Sequence, residues 1–198
     1  MTLSEFDTQT GARRRSELYN TALTLSAVFI GLAVISSLLC GTVPAFGKTL
    51  QLPIDASSFN YRFLSISRLF SDAFSASVPD LLIMLALFLS VFSLAYDTVA
   101  CFLCAMKGLA VGAVAFYLLS SNALNNEAII HICAIVLCSA IIIFLASAGK
   151  EINRIAFRAA HMSNRKELFT AIFSAVCLFA ICCGAVCTIN IIKLLIYT

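Results

Sequence analysis

Five long apolar runs divide this chain of 198 residues, and few folds other than a membrane bundle can bury so many of them. They cover residues 19–41, 79–96, part of 98–121, 128–148 and 169–192. A membrane-spanning helix needs about 20 mostly apolar residues. Hydrophobic residues make up 61% of the chain and charged residues 12%, whereas a soluble domain is about one-quarter charged. The pattern predicts an all-α, polytopic bundle of five transmembrane helices, forming one integral membrane domain over residues 1–198.

Basic residues are unevenly placed between the runs, and their placement predicts the orientation. Three arginines at 13–15 precede the first run, and the gap at 122–127 contains no Lys or Arg. The link between the fourth and fifth runs is strongly basic, through Lys150, Arg154, Arg158, Arg165 and Lys166. Because Lys and Arg concentrate in cytoplasmic segments, residues 1–18 and 149–168 are predicted to be cytoplasmic. The C-terminus and segment 42–78 are then extracytoplasmic.

The second half of the extracytoplasmic segment has the apolar spacing of an amphipathic helix. The aromatic and aliphatic residues recur at intervals of three or four, as Phe59, Phe63, Ile66, Phe70 and Phe74. Such spacing places them on one helical face. That face can pack on its own bundle, lie in the membrane interface or bind an extracytoplasmic partner. We regard these five residues as candidates for partner binding.

Asp97 and Lys107 are the two charged residues between Leu81 and Ser120. Two helices must fit there, so a turn is required. A turn at residues 96–98 would place Lys107 near mid-membrane, where an unpaired charge costs about 3 kcal/mol. A turn at Lys107 and Gly108 would make Lys107 an interfacial anchor and leave a short third span. We favour the second arrangement.

Small residues at helical spacing predict close helix–helix contacts. Gly108-x-x-x-Gly112 follows Lys107 directly, and the fifth run carries a small-residue face that includes Gly184. Such faces let helix backbones approach, either within the bundle or between copies in a homo-oligomer. Two helix starts are also predicted, one at residues 77–80 from a cap residue, a proline and an acid, and one at 164–167 from a capping-box-like pattern.

No catalytic, metal-binding or cofactor-binding pattern is visible. The nine cysteines lie in or at the end of apolar runs, where Cys behaves as a small hydrophobe. Cys101-x-x-Cys104 has a metal-like spacing, but no second Cys or His pair lies in a polar segment nearby to complete four ligands. No basic stripe interleaved with aromatics predicts nucleic-acid binding. The residues therefore predict a non-enzymatic protein whose surroundings are the lipid bilayer.

The order of these features resembles the stage II sporulation protein M family of bacterial membrane proteins. A basic N-terminus leads to one span, and an outer segment then enters the second span through an aromatic run at residues 67–74. Lys107, Gly108 and Gly112 match the family's apolar-Lys-Gly-x-x-x-Gly stretch. A basic helical tail follows the fourth span, at 150–158, and a fifth span closes the chain.

The resemblance implies a bacterial cell-membrane protein that anchors a peptidoglycan-degrading complex during engulfment. Its partners would be wall hydrolases of the stage II sporulation protein D and P types, and segment 42–78 would be the place of contact. The alternative function is a small transport component, either a permease or the membrane subunit of an ATP-driven exporter. In that case the 150–166 region would dock a nucleotide-binding subunit, and Lys107 would line a path.

Overall fold

Five α-helices account for the fold, which is a computed structural model describing residues 3–42, 66–120 and 126–196. The side chains are described for 16–42, 71–116 and 129–196. The helices are α1 (Leu3–Thr42), α2 (Ile66–Ser90), α3 (Tyr96–Ser120), α4 (Asn126–His161) and α5 (Arg165–Ile196). Each contains a stretch long and apolar enough to cross a membrane, and the described residues contain no strand. The predicted all-helical, five-span architecture is confirmed at this level.

The helices alternate in direction and place both short turns at one end of the bundle. The turns are residues 91–95, between α2 and α3, and 162–164, between α4 and α5. An ion pair between Glu17 of α1 and Arg154 of α4 lies at the same end. We call this the turn end, and the end that holds Thr42 and Ile196 the opposite end. The α1 N-terminal half and both turns share one end because successive helices alternate in direction. With five helices, this leaves the C-terminal end of α5 at the opposite end.

The core lies where α2, α3, α4 and α5 meet. Its fully buried side chains include Met84, Leu87, Cys104, Ile142 and Val186. Phe88 of α2 stacks against Phe179 of α5 with a ring-centroid distance of 4.9 Å. Large apolar side chains elsewhere on all five helices face outward, as expected of helices whose solvent is lipid.

α2 begins earlier than the sequence predicts. The cap-like residues at 77–80 lie inside the helix, which continues through Pro79. The hydroxyl of Ser77 donates to the carbonyl of Ala73, one turn back in the same helix, at 2.8 Å. The sequence pattern that marks a helix start in soluble proteins is misleading here, because membrane helices tolerate proline in their interior. The apolar span within α2 is residues 71–90.

The turn between α2 and α3 lies at residues 91–95, which differs from both arrangements considered from the sequence. The favoured turn at Lys107 and Gly108 is wrong, because α3 continues through both residues. The Asn153 side chain of α4 donates to the carbonyls of Val91 and Ser93, the latter at 3.0 Å. The Tyr96 hydroxyl donates to the carbonyl of Ala146 at 2.7 Å. These bonds fasten the turn to α4.

The turn between α4 and α5 closes with a Schellman arrangement. The amide of Asn164 donates to the carbonyl of Ala159 at 2.9 Å, and the amide of Ser163 donates to that of Ala160 at 3.2 Å. Ser163 adopts the left-handed conformation, with φ of 54°, which the motif requires. The Asn164 side chain then accepts from the amide of Glu167 at 3.4 Å. The predicted helix start at 164–167 is confirmed.

Candidate functional site

The most unusual group inside the bundle is a buried ion pair between Asp80 of α2 and Lys107 of α3. The ammonium of Lys107 donates to Oδ1 of Asp80. Only 9% of the Asp80 side chain and 13% of the Lys107 side chain are exposed. Both residues lie near the middle of their apolar spans, 71–90 and 96–116. Lys107 is therefore placed where an unpaired charge would be costly, and its pairing with Asp80 reduces that cost.

A second lysine, Lys193 of α5, extends this cluster towards the opposite end. It lies one turn before the end of α5 and is 9% exposed. Asp80 and Cys138 are close enough to interact with it electrostatically, and so is His131 of α4. Among the described side chains, no carboxylate lies within ion-pairing distance of its ammonium group. The cluster thus draws ionisable residues from four helices.

A polar bridge between α2 and α5 lies beside the charged residues. The side-chain amide of Asn190 donates to the hydroxyl of Ser77 at 2.9 Å and to the carbonyl of Val186 at 3.2 Å. Both side chains are buried. Interhelical bonds of this kind each contribute about 0.6 kcal/mol in membranes. Together with the ion pair, the bridge fixes how α2 is rotated against its two neighbours.

Gly108 and Gly112 hold α3 against α1. A Cβ added at Gly108 would overlap the carbonyl oxygen of Phe29, and one at Gly112 would overlap that of Ala33. The hydroxyl of Ser36 donates to the carbonyl of Leu109 across the same interface at 2.7 Å. The two helices run parallel, with positions 108 and 112 matching 29 and 33. At this motif the backbone of α3 lies directly against that of α1.

Asp97 lies at the turn end and not beside Lys107. Its carboxylate pairs with Lys150 of α4 at 3.2 Å, and both side chains are well exposed, at 66% and 47%. The neighbouring pair joins Arg154 to Glu17. Such exposed pairs contribute little to stability. Asp97 is therefore a surface residue of this end, whereas Lys107 belongs to the buried cluster.

Two adjoining cavities open at the turn end between α1, α3 and α4. One has a volume of about 350 Å³ and is lined by polar residues that include Glu17, Asn153 and Arg154. The other has a volume of about 280 Å³. Both are lined by Thr21, Asp97 and Lys150. They give the turn end a cleft with charged residues in its wall, but the described residues there show no nucleophile and base in contact.

Of the remaining predicted site residues, those whose side chains the structure describes lie outside this cluster. Phe59 and Phe63 lie outside the described residues, and for Ile66 and Phe70 the structure describes the backbone alone, in the first turns of α2. Phe74 is 60% exposed on the same helix. A Cβ at Gly184 would meet no atom within 4 Å, so the small-residue face of α5 packs on nothing there in the described bundle. A contact between copies through that face stays a prediction.

Sequence reasoning missed three members of the cluster: Asp80, Asn190 and Lys193. Asp80 was interpreted as an acid in a first helical turn, and Lys193 was not singled out. A signal was available, because Asp80 and Lys107 lie almost equally far from the turn at 91–95, so the hairpin places them at one depth. That signal could be used only once the position of the turn was known.

Comparisons of the chain with protein-family models, with curated proteins and with solved structures found no match.

Proposed function

We propose that this protein is a non-enzymatic membrane scaffold that holds an extracytoplasmic assembly at the bacterial cell membrane. The proposed assembly remodels peptidoglycan and includes wall hydrolases of the stage II sporulation protein D and P types. The identity of the partners rests on the sequence resemblance. The observation that carries the scaffold role is the double attachment of α2, through Asp80 to Lys107 and through Ser77 to Asn190.

Rigid attachment of α2 matters because this helix is continuous with the aromatic segment. Helix α2 starts at Ile66, so Phe70 and Phe74 lie in the same helix as the buried polar residues Ser77 and Asp80. A helix fixed in rotation presents its outward residues in one direction. Buried polar contacts are a recognised means of setting such specificity. In the proposed arrangement, residues 59–74 form an amphipathic surface on the extracytoplasmic side, and partners bind to it.

The orientation in this proposal follows from charge placement at the turn end. Lys150 and Arg154 lie there, together with Arg158 and the basic start of α5. Positive residues favour the cytoplasmic side. Alkaline phosphatase is active only when exported, so fusions test the orientation directly. We expect activity from a fusion after residue 60 and none from a fusion after residue 162; the reverse result would contradict the orientation.

The scaffold role is tested by replacing aromatic residues in the proposed docking surface and, as a control, near the turn end of the bundle. Phe59, Phe63 and Phe74 are replaced with Ala in the full-length tagged chain, and wall hydrolases are quantified after crosslinking and membrane purification. Phe169, which is 70% exposed near the turn end, provides the matched Phe→Ala control. We expect hydrolase recovery to fall for the first set and to be unchanged for Phe169→Ala. Equal recovery from both variants would reject the aromatic surface as the docking site.

A transport component is the second candidate, because polar groups of α3 and α4 occur at two depths in the bundle. On α3, Asp97 lies at the turn end and Lys107 near mid-span, with Cys104 between them in the sequence. That midpoint is closed, since Cys104 is fully buried and so is Ile142 of α4. A transporter would have to separate these helices. Substrate-dependent ATPase stimulation in a reconstituted complex, lost with Lys107→Ala and Asp97→Ala, would favour this candidate over the scaffold.

A further inference from the structure

Lys193 has no role in the scaffold just described. A lysine near the end of a membrane helix usually extends its ammonium group to the interface. Lys193 instead lies within the bundle and is about nine-tenths buried. It is one turn from the end of α5, about 5 Å along the helix axis. Lys193 therefore lies near the opposite end of the bundle.

The charge in the cluster does not balance among the described side chains. Lys107 and Lys193 contribute two positive charges, and Asp80 contributes one negative charge, which is engaged by Lys107. The nearby polar side chains do not supply a second negative charge. Asn190 is committed to Ser77 and to the backbone, and the Cys138 thiol is free and buried. Among the described side chains, one buried positive charge therefore lacks a direct counterion.

His131 faces the same uncompensated lysine from α4. It lies within electrostatic range of Lys193 and is half-buried. An imidazole can donate an N–H bond in either tautomer. Together, Lys193 and His131 present hydrogen-bond donors from two adjacent helices, with one excess positive charge. Charge-assisted bonds of this kind suit a phosphate oxygen.

We propose that Lys193 and His131 bind a phosphate group at the opposite end of the bundle, supplied by the headgroup of an anionic phospholipid. The bound phosphate neutralises Lys193 and completes the cluster that fixes α2, α4 and α5. Soluble phosphate has the same recognising chemistry and is the other source to be distinguished. Anionic lipid would then stabilise the bundle through a defined site and not only through general surface attraction.

Lipid binding is measured on the full-length protein in nanodiscs of phosphatidylcholine, alone or with one part in three phosphatidylglycerol. Native mass spectrometry reports the retained lipids, and the thermal midpoint reports stability. The soluble arm uses phosphatidylcholine nanodiscs with inorganic phosphate, compared with chloride at equal ionic strength. The variants are Lys193→Met, Lys193→Arg and His131→Gln. Lys150→Met, which removes an exposed lysine at the turn end, is the matched control.

We expect phosphatidylglycerol to be retained in preference to phosphatidylcholine and to raise the midpoint. Lys193→Met should weaken retention about tenfold, which corresponds to roughly 1.4 kcal/mol. Lys193→Arg should preserve phosphatidylglycerol retention, and His131→Gln should weaken that retention less than Lys193→Met does. Lys150→Met should leave the retention unchanged. Should Lys193→Met not fold, Lys193→Arg and His131→Gln still decide the question. Stabilisation by inorganic phosphate alone, abolished in the Met variant, would support the phosphate site and reject the lipid as its source.

Equal retention of the two lipids by the wild-type protein, with no effect of inorganic phosphate, would overturn the proposal. So would unchanged phosphatidylglycerol binding in Lys193→Met. An internal rival for the phosphate is Glu127, which precedes His131 by one helical turn in α4. If Glu127→Gln destabilises the wild-type protein but not the Lys193→Met variant, the counterion is a carboxylate of the chain itself, and the phosphate site is rejected.

Discussion

Removing Asp80 should destabilise the protein more than removing Lys107, although the two residues form one ion pair. The reason is the second lysine of the cluster. In Lys107→Met, the Asp80 carboxylate still has Lys193 within electrostatic range. In Asp80→Asn, Lys107 loses its ion-pair partner, and Lys193 loses the electrostatic attraction of the same carboxylate. The asymmetry tests whether the three residues act as one cluster.

The magnitudes follow from the burial of the pair. Breaking a buried pair by removing one partner costs about 3–5 kcal/mol, and a charge at mid-span costs about 3 kcal/mol. With side chains only 9% and 13% exposed, Asp80→Asn should lose at least about 3 kcal/mol of unfolding free energy. Lys107→Met should lose roughly half as much, because a second ammonium partly replaces the first. The double variant should be more stable than the sum of the two losses predicts, by about 2 kcal/mol.

Unfolding is measured by titration with sodium dodecyl sulfate in mixed micelles, followed by circular dichroism. The exposed pair Asp97–Lys150 provides the matched control, through Asp97→Asn and Lys150→Met. Each control substitution should cost less than about 1 kcal/mol. The reasoning is refuted if Lys107→Met costs as much as Asp80→Asn. It is also refuted if the double variant shows simple additivity.

Four further substitutions test the helix packing and the turn between α4 and α5. Gly112→Leu should destabilise the protein by at least about 1–3 kcal/mol, since its side chain would overlap the α1 backbone at Ala33. Gly184→Leu, on an open face, should be nearly neutral. The thermal midpoints of the two variants are compared. Asn190→Leu should lower the unfolding free energy by about 1 kcal/mol, because it removes the bond to α2; an unchanged titration midpoint would contradict this. Ser163→Gly should raise stability by roughly 0.5–1 kcal/mol, because this position has a positive φ, and a decrease in midpoint would show that the serine side chain is needed in the turn.

The parts of the fold that the sequence predicted are those governed by local pattern. Apolar length predicted five helices. Backbone proximity at Gly108 and Gly112 needs only the absence of side chains, and the cap at Asn164 needs only a side chain and an amide three residues on. The predicted start of α2 was wrong, because a cap residue, a proline and an acid at 77–80 form the same local pattern in a helix interior as at a helix start. Membrane surroundings, and not the residues themselves, decide between the two.

The candidate site could not be predicted because it depends on helix rotation. Asp80 and Lys107 are separated by 27 positions, and Ser77 and Asn190 by 113. Each of these residues lies in a run that is apolar on almost every side, so no amphipathic face shows which direction is inward. Only the packed bundle reveals that they face each other. The orientation of Lys193 towards the core likewise depends on how α5 packs. Its position near a helix end would by itself favour a side chain that extends to the membrane interface.

The hairpin formed by α2 and α3 also has a consequence for biogenesis. Each helix alone carries one mid-span charge, which opposes its transfer from the translocon into lipid by about 3 kcal/mol. The turn that joins them is only the five residues 91–95, short enough for Asp80 and Lys107 to pair before either helix meets lipid. We therefore expect α2 and α3 to leave the translocon as one neutralised unit. While the growing chain has not yet been synthesised as far as Lys107, we expect α2 to be held at the channel, because the counterion of Asp80 is still missing.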